Sequence, residues 1–200
     1  MKRFISLLAF LYMGVGLGAE VPSAARQIEL AVLAAPQAER EACTVLGYDA
    51  EGNLVTLREG TNGLTCLADD PNRKGFSVAC YSSTLEGYMQ RGRDLRAEGK
   101  NNKEVFDMRE EEVKSGKLSI PTNSILNVLT GKINAESGEL EETYQRYVIY
   151  IPYATPETTG IPLGPATPGG PWIMNPGTHR AHIMINPPKP EPKPMDHSKH

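Results

Sequence analysis

The stretch Thr44-Val45-Leu46-Gly47-Tyr48-Asp49-Ala50-Glu51-Gly52-Asn53-Leu54-Val55-Thr56-Leu57-Arg58 decides the fold class. Residues 44–49 alternate as a half-buried strand does, and residues 54–58 return as a second strand. Between them lies turn chemistry, with Gly52 and Asn53 both tolerant of positive φ. The whole stretch predicts a β-hairpin.

Outward from the hairpin, Gly60-Thr61-Asn62-Gly63 marks another turn, leading into short strands at residues 64–67 and 76–81. Upstream, Ser23 caps a helix over residues 23–35 whose apolar face carries Ile28, Val32 and Ala35. Pro36 ends it or starts a second turn. Downstream, Ser83 and Glu86 fit a capping box for a helix to about residue 98. Gly92 weakens that helix and Gly99 closes it. Residues 102–115 form a second charged helix, with Glu110-Glu111-Glu112 as a solvated face.

Past Pro121, residues 124–130 and 144–151 read as strands. The tyrosines at 144, 147, 150 and 153 recur every third residue, so on a strand they alternate faces. From Pro152 onward lie 12 of the 16 prolines, and residues 155–170 read as loop. Residues 172–174 and 182–185 read as short buried strands closing the sheet against the first hairpin. The expectation is an α+β fold: one antiparallel sheet of about five to seven strands, packed by two or three helices. Residues 20–186 make that domain, and residues 187–200 a Pro-rich, disordered or polyproline-like tail.

The first 19 residues read as a secretory signal: Lys2 and Arg3, an apolar run from Phe4 to about Val15, then small residues with cleavage after Ala19. The run is short for a membrane span, which needs about 20 apolar residues. Periplasmic or secreted location follows, with no stable membrane insertion after cleavage. A net charge of -3 argues against a nucleic-acid partner. Export permits disulfides. The three cysteines are Cys43, Cys66 and Cys80, and an odd count leaves one unpaired. A chain reversal between Cys66 and Cys80 would bring their sulfurs together, closing a loop of about 15 residues worth roughly 3 kcal/mol. Cys43 reads as a small buried hydrophobe, and a Cys43–Cys66 pairing across adjacent strands stays open.

The block Leu57-Arg58-Glu59-Gly60-Thr61-Asn62-Gly63-Leu64-Thr65-Cys66, with Asp69-Asp70-Pro71 and Cys80, resembles a family of exported bacterial proteins to which no activity is assigned. Gly177, His179, His182, Ile183, Met184 and Ile185 resemble that family's apolar, His-containing ending. The resemblance implies export and a Cys66–Cys80 bridge, and supplies no reaction.

All four histidines fall in the last 22 residues. His179 and His182, three apart, would share a helix face but take opposite faces of a strand, so a single buried, hydrogen-bonded His182 is expected. The terminal Met195-Asp196-His197-Ser198-Lys199-His200 resembles Met/His-rich tails of periplasmic copper-handling proteins. Met195, His197 and His200 are therefore candidate copper ligands, since thioether and imidazole suit that ion. Asp69 and Asp70 suit a cation or acid/base pair, or caps for turn amides. With Trp172, His179 and His182 they form the candidate ligand cluster. There is no nucleophile elbow, P-loop, dinucleotide fingerprint or zinc-protease motif, so no catalytic residue is assigned. The sequence supports an exported non-enzymatic binding or structural protein. A copper-binding accessory role is the first alternative, and a hydrolase using Asp69, Asp70 or His182 the second.

Overall fold

In the computed structural model, described over residues 21–189, the fold is α+β. The elements run α1 (Ala24–Ala31), β1 (Thr44–Tyr48), β2 (Leu54–Arg58), β3 (Leu64–Leu67), β4 (Phe76–Ser82), α2 (Glu86–Ala97), α3 (Asn102–Lys114), β5 (Ser124–Ile133), β6 (Leu140–Tyr150), α4 (Pro156–Thr159), β7 (Trp172–Met174) and β8 (His182–Ile185). The stretch read as a signal and most of the Pro-rich tail lie outside the described residues. No helix among those described is long and apolar enough to cross a membrane.

All eight strands join one sheet in the order β2-β1-β3-β4-β5-β6-β8-β7. The sheet is larger than the sequence predicts, and it is mixed, because β1 and β3 pair in parallel. The reason is local. β2 pairs with β1 on its outer side, and residues 59–63 cross the start of β1 so that β3 docks on its inner side. The Thr61 amide donates to the Ala42 carbonyl at 2.7 Å, and the Gly60 amide to the Thr44 hydroxyl at 3.0 Å. Strands β3 and β4, which carry Cys66 and Cys80, therefore lie inside the sheet. β7 and β8 also close the edge opposite the hairpin, because β8 pairs with the long strand β6.

Several local expectations hold. The Ser23 hydroxyl accepts from the Arg26 amide and caps α1, worth about 1 kcal/mol. Asp49 accepts amide hydrogens from Glu51 and Asn53 inside the hairpin turn, where Gly52 has φ +81°. One cap carried no expectation: Asn101 and Glu104 form the capping box of α3.

Others are corrected. α1 tightens to a 3-10 turn at Val32–Ala34, ahead of Pro36. The Ser83/Glu86 box does not form; Ser82 caps a 3-10 turn, and Glu86 instead accepts from Tyr81 Oη at 2.6 Å and from Arg93. Residues 155–170 contain one helical turn, α4, because Thr155 caps it and Pro156 suits a first helical position. Gly92 has a packing reason: a Cβ there would sit 2.9 Å from Arg109 Nη1.

The sheet separates two cores. On one face α1 and its following turn cover Cys43, Val45, Cys66, Val78, Cys80 and Leu129. On the other, Tyr81, Leu85, Tyr88, Val148 and Tyr150 pack with Met89, Leu118 and Ile120. Strand alternation assigns the faces, since Val45 pairs with Cys66 and Cys66 with Cys80.

Candidate functional site

The second face is left open beyond its helical cover, and a groove of about 240 Å³ forms there. Register puts its residues on one side. Leu126 opposes Val148, Val128 opposes Arg146, Val148 opposes Met184, and His182 stands opposite both Tyr150 and Met174. Arg180, in the turn before β8, completes the lining. The floor is apolar, and two guanidiniums stand over it. Neither Arg146 nor Arg180 has a carboxylate partner among the described residues. His182 is 4% exposed, as expected for a single buried histidine. Its Nδ1 lies 2.7 Å from the Arg180 carbonyl, so it donates there and leaves Nε2 unprotonated. Burial pushes the His182 pKa below its ordinary 6.5, and the neighbouring Arg180 charge adds to that.

Behind the groove runs a chain of rings. His182 meets Tyr150 at 5.7 Å, Tyr150 meets Tyr88 at 5.9 Å, and Tyr88 meets His179 at 5.8 Å. Arg109, 6% exposed, lies 4.1 Å over the Tyr88 ring and donates to the Tyr88 carbonyl at 3.2 Å. Burial pulls the Arg109 pKa down, and Arg180 and Arg96 act in the same direction. The region is electropositive.

His179 is fully buried. Its backbone amide and its Nδ1–H both donate to Glu110 Oε2, at 2.8 and 2.5 Å. Burial pushes the Glu110 carboxyl up, but the bonds from His179 and Lys114 outweigh it and hold the group below its usual range. Burial also depresses His179, against the pull of Glu110. The stable pair is an anionic Glu110 and a neutral His179. Nε2 of His179 has no partner among the described residues, and the ring packs against Phe106, 4.8 Å away between ring centres. The dyad ties α3 to the β7–β8 turn. Glu110 is thus no solvated residue, a correction to the reading of the glutamate run. Its signal was available: Phe106, Glu110 and Val113 share one helix face.

The expected cluster does not assemble. Asp69 and Asp70 lie in the β3–β4 loop, capping the Ser77 and Asn72 amides at 2.9 Å each. Trp172 opposes Met184 on the groove's face but does not line the groove. His179 and His182 are held by different partners. Met195, His197 and His200 fall outside the described residues. Cys66 and Cys80 are register partners with sulfurs 2.8 Å apart, yet all three cysteines are free thiols and the expected bridge is not formed.

No family model matches the chain, and no curated protein or solved structure matches it either. The groove's residues carry the functional argument alone. Arg146, Met174 and Arg180 escaped sequence reading as site residues, because they come from two strands and a turn with no motif spacing, while Tyr150 and Met184 were legible as strand residues but not as members of one groove. A larger depression of about 460 Å³ beside α1 offers no unpaired cation among the described residues: its Arg26 pairs with Glu29 at 2.7 Å and donates to the Gly138 carbonyl.

The two depressed histidines set an acid limit on stability. Each binds a proton less readily folded than unfolded, so stability is complete above pH 6.5 and falls as pH drops through the window below it. Urea midpoints at pH 7.5 and 5.0 test this: the acid midpoint should be lower, and His179→Gln should flatten the difference. Equal wild-type midpoints would refute the assignment.

Proposed function

We propose that this chain is an exported, non-enzymatic binding protein whose groove takes a small organic anion with an apolar body. The observation that carries the reading is the pair Arg146 and Arg180, without carboxylate partners, over the floor of Leu126, Val128 and Val148. Pockets of this kind bind through apolar contact and orient through a few polar groups. Arginine suits carboxylate through its paired N–H donors. The volume suits a ligand of roughly ten heavy atoms or fewer, below the usual drug-sized range.

Octanoate is the probe, with octyltrimethylammonium as its cationic counterpart. Chemical-shift titration should show octanoate perturbing residues 126, 148, 180 and 184, and the cation leaving them unmoved. Arg180→Ala should weaken binding about tenfold, the loss of one charge-assisted contact. Equal response to both probes would reject the proposal. Export rests on the leading peptide and the family resemblance, and requires native material to begin at Glu20.

A further inference from the structure

We propose that reduced Cys43, Cys66 and Cys80 form a three-sulfur site for a soft monovalent metal ion, Cu(I), on the sheet face opposite the groove. The three sulfurs lie within 4.8 Å of one another, and all three residues are buried. They come from three chain segments: the residue before β1, β3 and β4. A trigonal ion with metal–sulfur bonds of about 2.3 Å needs sulfurs about 4.0 Å apart. The Cys66–Cys80 contact, at 2.8 Å, has to open to reach that spacing.

The donor set selects the ion. Thiolate is soft and favours Cu(I) or zinc. Structural zinc takes four ligands. Among the described residues no fourth His, Cys, Asp or Glu joins this group. A three-coordinate d10 ion needs none.

Charge is the obstacle in an apolar core, because Cu(I) with three thiolates carries two negative charges. Two guanidiniums border the Cys43 end. Arg58 donates to the Cys43 carbonyl at 3.1 Å, and Arg40 to the Ala35 carbonyl at 3.2 Å. Neither has a carboxylate partner among the described residues. The Asn62 amide, 3.7 Å from Cys43 Sγ, covers that sulfur on the loop side while donating to the Glu39 carboxylate at 3.0 Å, a negative charge that the two guanidiniums also have to offset. Cys80 Sγ, 2.8 Å from Cys66 Sγ, gives up its proton to water as it binds the ion. Each further thiol releases its proton to water as the ion enters.

The reduced full chain, titrated anaerobically against a chromophoric Cu(I) chelator, should hold one Cu(I) with sulfur-to-copper absorption in the near ultraviolet. Cys43→Ser should weaken retention at least tenfold. The combined substitution Met195→Ala, His197→Ala and His200→Ala should leave that retention unchanged. Oxidising Cys66 and Cys80 with diamide, which accepts their two electrons and two protons, should abolish binding, and dithiol reduction should restore it. X-ray absorption of the loaded wild-type chain does not depend on any variant folding; it should show a shell of sulfur alone. No Cu(I) held by the reduced chain, undiminished retention in Cys43→Ser, binding that survives oxidation, or imidazole nitrogen in the shell would each overturn the proposal.

Discussion

Gly60→Ala should cost at least about 3 kcal/mol, the upper range for forcing atoms into a packed site. A Cβ at position 60 would lie 2.1 Å from the Thr44 nitrogen, 2.2 Å from the Cys43 carbonyl carbon and 2.4 Å from the Ala42 oxygen. All three are backbone atoms at the start of β1, so no rotamer change relieves the clash. The loop must lift, and lifting it breaks the Thr61 bond to Ala42 and the Gly60 bond to Thr44. Those bonds hold the crossing that lets β3 pair in parallel with β1. Urea unfolding monitored by circular dichroism gives the measurement. Gly52→Ala is the comparison: it meets open space and bears only the strain of its positive φ. It should lose about 1 kcal/mol, in the usual range for backbone strain of this kind. Similar losses for the two would mean that the crossing is not the constraint.

Glu110→Ala should cost about 3 kcal/mol, because two buried N–H groups of His179 lose their acceptor together. For a chain of this length that corresponds to a fall of roughly 6–12 °C in Tm. Glu110→Gln keeps the shape and one acceptor oxygen, and should recover about half of the loss. Lys114→Ala, removing only the exposed partner at 3.1 Å, should leave the Tm close to that of wild type. A calorimetric series over the three variants separates the buried tie from the surface pair. If Glu110→Ala melted within 2–3 °C of wild type, a shift worth about 1 kcal/mol, the tie would be without structural weight.

The groove and the dyad are linked through Tyr150 and Tyr88, so the second core also fixes the site. Tyr150 opposes His182 across β6 and β8 and packs its ring against Tyr88 of α2. The Arg109 cation is held over Tyr88 from α3. The groove proposed to take an anion and the α2–α3 packing therefore share one aromatic layer.

The sequence by itself determined each piece whose cause is local. Alternation made the hairpin strands, and Asp49 with Gly52 made their turn. Ser23 and Asn101 started helices through their own neighbouring amides. Burial of His182 followed from its place in an apolar run. Only the tertiary structure decided which strand lies beside which. The parallel pairing of β1 with β3 depends on a backbone approach at Gly60, where the missing atom matters and no periodicity records it. Glu110 looked solvated because its neighbours in sequence are acidic, while its partner is 69 residues away. Groove and thiol trio alike arise from register across distant strands, and register is an energy of packing that no single segment contains.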